Sequence, residues 1–229
     1  MKNIIVIPTR GNSKEIKKKN LISFCGKPLL YWTITQAKKS RLKNNVYVSS
    51  ESDEILDYAV KLGVNAIKRP LHLSKDDSSS ESAILHVIKS LKFNIKNIIF
   101  LQATSPLRKP NDINQALDVF NKSKSDSLFS CHEAEDFFDV WALKNRKYKP
   151  LIINFKKRKP RQLFKEEQVC ANGSIYIFKN NIICKNNNRL GGKIGIFKME
   201  EWQSFQLDAI KQKKIMELIF FKELKKYYV

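Results

Sequence analysis

Between residues 3 and 131 the chain alternates apolar and polar positions in blocks that predict a repeating strand–helix order. Residues 3–8 form a short apolar, β-branched run stopped by Pro8-Thr9-Arg10-Gly11, the pattern of a buried strand. Behind Pro28, a good residue for a helix start, Leu29, Leu30, Trp32, Thr33 and Ala37 recur at helical spacing and predict a helix to about Ser40. Residues 45–49 read as a second strand. The acidic Glu51-Ser52-Asp53-Glu54 that follows suits the positive end of a helix running to about Leu62. A third strand is predicted at 64–67, a helix at 79–91, and a central strand at 97–102 running into Ala103-Thr104-Ser105-Pro106. A helix at 111–121 and a fifth strand at 127–131 complete the series. Such alternation predicts an α/β fold with a mainly parallel sheet covered on both faces.

The rhythm breaks over residues 133–168, where aromatic and basic residues follow one another without a clean period. Phe137, Phe138, Val140, Trp141, Leu143 and Phe155 make this stretch too apolar for a flexible linker, so it reads as an excursion that covers or is covered. Residues 173–178 and 193–198 look like returning strands, and 207–226 like one long closing helix. Trp32 and Trp141 read as core or interface residues, and His72, His86 and His132 as packing or surface residues.

Composition narrows the picture. With 229 residues, 42% hydrophobic and 28% charged, the chain suits one globular domain of 1–229 with a small inserted lobe. No apolar run reaches the ~18–20 residues needed to cross a bilayer, so no membrane span is expected. The opening MKNIIVIPTRG lacks the features of a secretory leader. Four scattered cysteines (Cys25, Cys131, Cys170, Cys184) form no CxxC pair, which points to free thiols and a cytoplasmic protein. The 43 Lys+Arg against 22 Asp+Glu give a net charge of +21. Nucleic acid is the first partner such a charge suggests. The lysines are spread along the whole chain, however, and a solvated surface that attracts small anions explains them as well.

Ligands of doubly wound sheets gather beyond the carboxyl ends of the strands. The first strand ends in Pro8-Thr9-Arg10-Gly11-Asn12-Ser13-Lys14, and Lys17-Lys18-Lys19-Asn20 follows closely. A loop with a glycine, hydroxyl and amide side chains and several cations suits a polyphosphate. Arg10 offers a planar fork for phosphate oxygens, and Lys14 and Lys19 offer point charges. Neither GxxxxGK[ST] nor GxGxxG is present, so a P-loop NTPase and a dinucleotide-binding fold are not predicted.

The segments PTRGNSKEIKKKN and FCGKPLL resemble the opening of the acylneuraminate (nonulosonate) cytidylyltransferases, the CMP-N-acylneuraminate synthetases. So do Val48-Ser49-Ser50-Glu51-Ser52-Asp53-Glu54-Ile55, Arg69-Pro70 with Ser78-Ser79-Ser80, and Leu101-Gln102-Ala103-Thr104-Ser105-Pro106-Leu107-Arg108. Arg161-Gln162 and Asn172-Gly173-Ser174-Ile175-Tyr176 follow in the family's order. The resemblance implies a three-layer α/β/α sandwich, a Rossmann-like nucleotidyltransferase, with residues 133–168 as a dimerisation lobe of a homodimer. It implies that a nonulosonic acid attacks CTP to give a CMP-sugar and pyrophosphate, with no nucleic acid as partner. Arg10 and Lys19 would hold the triphosphate, supported by Gly11, Ser13, Lys14 and Asn20. Arg69 and Ser80 would meet the cytidine. Gln102, Arg161, Asn172 and Tyr176 would meet the sugar acid.

Three of these residues have ordinary readings beside the functional one. Gln102, at a strand end, could simply cap backbone groups. Ser80 fits a helix N-cap, and Asn172-Gly173 fits a turn. The resemblance also implies Mg²⁺, held in the family by two aspartates before the last helix. Here the segment reads Ser204-Phe205-Gln206-Leu207-Asp208, so the implied ligands are Asp208 and the neutral Gln206. Glu15 departs from the family's glycine and is expected to point outward, away from the bound anion. The alternatives are a CMP-Kdo synthetase and a non-catalytic nucleic-acid-binding protein.

Overall fold

The computed structural model describes residues 1–11, 13, 15–134, 141–144, 147–151, 154–157 and 167–228. Its strands are β1 (Lys2–Pro8), β2 (Ser23–Phe24), β3 (Lys27–Pro28), β4 (Val46–Ser50), β5 (Asn65–Lys68), β6 (Ile95–Leu101), β7 (Ser127–Glu133), β8 (Trp141–Lys144), β9 (Lys147–Pro150), β10 (Val169–Lys179) and β11 (Ile194–Lys198). The α-helices are α1 (Leu29–Lys38), α2 (Asp53–Lys61), α3 (Ser80–Ser90), α4 (Asp112–Lys122), α5 (Asn180–Asn186) and α6 (Lys213–Ile219). The central sheet has the order β11-β7-β10-β6-β1-β4-β5. Every neighbouring pair is parallel except the two that β10 makes, with β6 and β7. A mainly parallel α/β sandwich, as the sequence predicts, is therefore the fold.

Strand periodicity explains the two faces. Ile5, Ile7, Ile99 and Leu101 point into one buried cluster with α1, α2 and α4. Ile4, Val6, Ile98 and Phe100, one residue out of phase, point into the other with α3 and α5. Side chains that alternate at period two place both sets fully inside only when helices cover both faces. A third cluster lies outside α1, where Trp32, Phe24 and Leu29 meet Met216, Phe220 and Leu224. The Trp32 indole N–H donates to the Phe24 carbonyl at 2.7 Å, which satisfies the one polar atom of a buried ring.

Three elements differ from the sequence reading. The closing segment is not one helix from 207. The chain stays extended to Ala209, because the Gln212 carboxamide oxygen accepts from the Asp208 and Ala209 N–H groups at 2.9 and 2.7 Å. A 3-10 turn, α6, a π-turn at Phe220–Leu224 and a second 3-10 turn then follow. Residues 180–186, which carry no strong helical period, form α5, ended by Asn187 in the left-handed region at φ 47°. β10 starts four residues earlier than its apolar run suggests and carries a register shift between Ala171 and Tyr176.

Within the 133–168 excursion, β8 and β9 pair antiparallel. The chain leaves the sheet at the end of β7 and returns at the start of β10, where Glu133 is the partner of Val169. Among the described residues no helix is long and apolar enough to cross a membrane. Glu15 is exposed, as expected.

Candidate functional site

The sheet turns its chain order around between β1 and β6. The path runs from β1 outward to β4 and β5, then returns to the other side of β1. Because these four strands are parallel, Thr9 and Arg10, Glu51, Arg69 and Gln102 all leave from one edge. That edge carries a cleft of about 230 Å³. Small-ligand sites commonly enclose about 300–1,000 Å³, so a nucleotide-sized ligand would fill this one and extend past its mouth. Of the residues singled out from sequence, Arg10, Ser13, Lys19, Asn20, Arg69, Ser80 and Gln102 line it.

The loop after β1 is braced from beneath. The Gly11 N–H donates to Glu51 Oε1 at 2.6 Å, and Asn20 Nδ2 donates to the Arg10 carbonyl at 2.8 Å. A Cβ on Gly11 would lie 2.8 Å from Ser52 Cβ, so only glycine lets this backbone approach the start of α2 so closely. Arg69 is 3% exposed and is largely committed to the scaffold. It donates to the Thr9 carbonyl at 2.8 Å, to Ser74 Oγ at 2.8 Å and to Glu51 Oε2 at 3.3 Å. Burial lowers the Arg69 pKa, an effect that Glu51 opposes.

The sequence assigns Glu51 only to the acidic start of α2, and the structure places it at the centre of this brace. Burial alone would raise its carboxyl. The backbone donors of Glu51 itself and Gly11, the Ser74 hydroxyl and Arg69 outweigh that and hold the pKa below the ordinary 4.5. A depressed carboxyl contributes stability that is complete above the unfolded value and is lost as pH falls through the folded one. Glu51→Gln is therefore expected to be about 1–2 kcal/mol less stable than wild type at neutral pH. The gap should close as pH falls from 4.5 through the lower folded value. Urea midpoints measured across that range check this; a gap independent of pH would contradict it.

The cations stand in different states. Lys19 is 14% exposed at its side chain and pairs with Asp208 at 3.0 Å, whose own side chain is 60% exposed. Arg10 donates to the Lys75 carbonyl at 3.0 Å and to Asp76 at 3.2 Å. Ser80 is the first residue of α3, and its neighbour Ser79 is the N-cap, accepting from the Ser82 N–H at 3.1 Å. The capping alternative thus falls to Ser79, and both serines line the cleft.

The remaining candidates among the described residues lie around the cleft rather than on its wall. Asn172 is 2% exposed and its side chain turns inward. Its Oδ1 accepts from Ser130 Oγ at 2.5 Å and from the Ser174 N–H at 3.1 Å. Tyr176 sits mid-strand and stacks on Phe100 with ring centroids 5.6 Å apart; Phe100 is the residue that reaches the cleft. The Arg189 guanidinium lies 4.8 Å from both rings. Gln206 Nε2 donates to the Asn172 carbonyl at 2.7 Å. Lys14 and Arg161 lie outside the described residues.

Arg108 also escaped a functional reading. It is fully buried and donates to the Gln102 and Ser174 carbonyls, to Thr33 Oγ1 at 3.2 Å and to Gln36 Oε1 at 3.0 Å. Burial pushes its pKa down to about 9, which still leaves it charged at neutral pH. An arginine closing an apolar, Pro-containing turn was the signal available in the sequence.

None of the described residues lining the cleft is a carboxylate, histidine or cysteine. A nucleophile–base pair of protein groups is thus missing from that wall, while arginine, lysine, hydroxyl and amide donors are concentrated there. Such a wall binds and neutralises a polyanion, and it suits a transfer whose nucleophile and leaving group both belong to the ligands.

Comparison with known proteins agrees. The cytidylyltransferase family profile matches residues 4–229. The post-translational flagellin modification protein B of Campylobacter coli is 30% identical over 224 residues, 94% of each chain. A pseudaminic acid cytidylyltransferase of Campylobacter jejuni is 37% identical over 139 residues, 59% of this chain and 60% of that protein. Among solved structures, a CMP:2-keto-3-deoxy-manno-octonic acid synthetase complexed with CTP superposes with a TM-score of 0.74. It covers 98% of this chain and 100% of its own at 18% identity, a likeness of fold. A profile match across nearly the whole chain, on a sheet whose cationic cleft opens at the strand ends, settles the kinship: the chain belongs to the cytidylyltransferase family.

Proposed function

We propose that this nucleotidyltransferase activates a nonulosonic acid, a sialic-acid-like sugar, with CTP to give a CMP-sugar and pyrophosphate. The observation that carries the reading is the convergence of Arg10, Lys19 and Arg69 with serine hydroxyls on an acid-free wall at the strand ends. The relative named for pseudaminic acid supports the sugar class.

In this reading the hydroxyl on the sugar's anomeric carbon attacks the α-phosphorus and passes its proton to solvent water. An O–P bond forms there as the bond to the β-phosphate's bridging oxygen breaks. Negative charge grows on the departing pyrophosphate, where Lys19 and Arg10 neutralise it. To accept the triphosphate, Arg10 exchanges its contacts with Lys75 and Asp76 for phosphate oxygens, and Lys19 loosens its pairing with Asp208. Ser80, Ala83 and Phe100 form the wall nearest α3 and take the nucleoside. Gln102 faces the sugar acid.

The residues fit Mg²⁺. This cation is commonly bound through one or two carboxylates together with substrate phosphates and water, and Asp208 supplies an exposed carboxylate beside Lys19. Bound there, the cation would shield the charge of the triphosphate. The proposal includes a homodimer, because Leu143, Tyr148 and Leu151 of the β8–β9 region are strongly exposed and need a cover, and a cytoplasmic location, which the four scattered cysteines favour.

The test mixes the protein with CTP, Mg²⁺ and neuraminate, legionaminate, pseudaminate or Kdo, and reads pyrophosphate and product mass. Turnover of a nine-carbon acid is expected, by a species that sediments as a dimer. Turnover of Kdo alone would replace the substrate. No turnover with any of the four, alongside tight salt-sensitive RNA binding, would overturn the reading.

A further inference from the structure

Gln206 lies in the extended segment ahead of the closing helices. Next to it Leu207 is fully buried, and its N–H donates to the Thr104 carbonyl at 2.8 Å. The segment therefore runs along the end of β6, and its outward step at Gln206 reaches across to β10. There Gln206 Nε2 meets the Asn172 carbonyl at 2.7 Å. A main-chain carbonyl only accepts, so the carboxamide must present its NH₂ group to it, whichever way the amide is drawn.

The contact is close on both sides. Gly173 has φ +69°, and a Cβ placed on it would collide with Gln206 Nε2 and lie 2.8 Å from Gln102 Oε1. Gln102 Oε1 is itself buried with no hydrogen-bond partner among the described residues. Gln206, the Asn172–Gly173 peptide and the Gln102 side chain thus form one packed stack, with Arg108 gripping the Gln102 and Ser174 carbonyls from behind.

We infer that Gln206 is a positioning residue: its carboxamide latches the 172–174 bulge against Gln102 and so shapes the sugar side of the cleft. It is not a neutral substitute for a metal-binding carboxylate. A carboxylate at 206 would set a negative oxygen against the Asn172 carbonyl and would leave that acceptor without a donor. The inference rests on the proposed function only in taking the ligand beside Gln102 to be the sugar acid.

Two variants test it, each with readouts in the free and the working enzyme. Gln206→Glu keeps the length and replaces the donor by a charge that a cation would welcome; Gln206→Met removes both donor and ligand oxygen. As a latch, either change should speed amide exchange at Ser174 and Ile175 in the free protein by about tenfold. It should raise the sugar KM by a similar factor, while the CTP KM and the Mg²⁺ half-saturation stay within about twofold of wild type. Tighter Mg²⁺ half-saturation in Gln206→Glu, with exchange unchanged in both variants, would overturn the inference. Exchange is read without sugar. Failure of every nonulosonic acid as a substrate would therefore sink the proposed substrate class and leave the latch to be decided by the amides.

Discussion

Replacing Lys19 with methionine is expected to slow pyrophosphate release by roughly 10²–10³-fold with little change in thermal stability. Its ammonium is only 14% exposed at the side chain, so it acts from a partly desolvated position where each charge contact counts for more than in water. Its present partner, Asp208, stays 60% exposed and can be solvated once the lysine is gone, which is why the fold should tolerate the change. Steady-state pyrophosphate assays with saturating CTP, paired with a thermal melt, provide the measurement. A Lys19→Met enzyme within threefold of wild type would remove the lysine from the reaction.

Arg108→Met should instead lower stability by about 3 kcal/mol, visible as a shift of the urea midpoint without change of slope. Burying a guanidinium with no carboxylate among the described residues in hydrogen-bond contact is costly in itself. Removing it leaves the Gln102 and Ser174 carbonyls, Gln36 Oε1 and Thr33 Oγ1 short of a donor inside the core. Four acceptors losing a donor outweigh the relief of desolvation. Arg108→Lys keeps the charge, loses the fork and should fall between the two. A methionine variant as stable as wild type would show that the burial cost cancels the whole network.

Much of the fold was legible because the sheet strands are apolar on both faces and the helices carry polar outer stripes. The run at residues 3–8 could only be buried, and β1 has four consecutive residues at 0% exposure, Ile4 to Ile7. Where local pattern failed, a side chain from elsewhere had decided the backbone. Gln212 holds the chain extended after Leu207, although 207–226 has a helical period. No local period announces α5, whose Ile183 is buried against the sheet by tertiary packing.

The site was legible to a similar depth. Seven of the residues chosen from sequence share one cleft because they follow the carboxyl ends of adjacent parallel strands, a relation that topology supplies once the alternation is read. What could not be read is whether a polar side chain faces the ligand or the interior. Asn172 and Tyr176 sit in a matching motif, yet one bonds inward to Ser130 and the other lies behind Phe100. Glu51 and Arg108 were hidden for the converse reason: their partners are main-chain groups and side chains distant in sequence, and no local pattern names those.

The single reversed strand has a consequence for how such an enzyme changes. Because β10 runs against β7, the polypeptide departs and re-enters at adjacent points on the rim where the cleft opens. What lies between is bounded like the loop of a hairpin, and lengthening such a loop costs only about 0.6 kcal/mol per doubling. Evolution can accordingly exchange that stretch as a cassette while the scaffold beneath keeps its register.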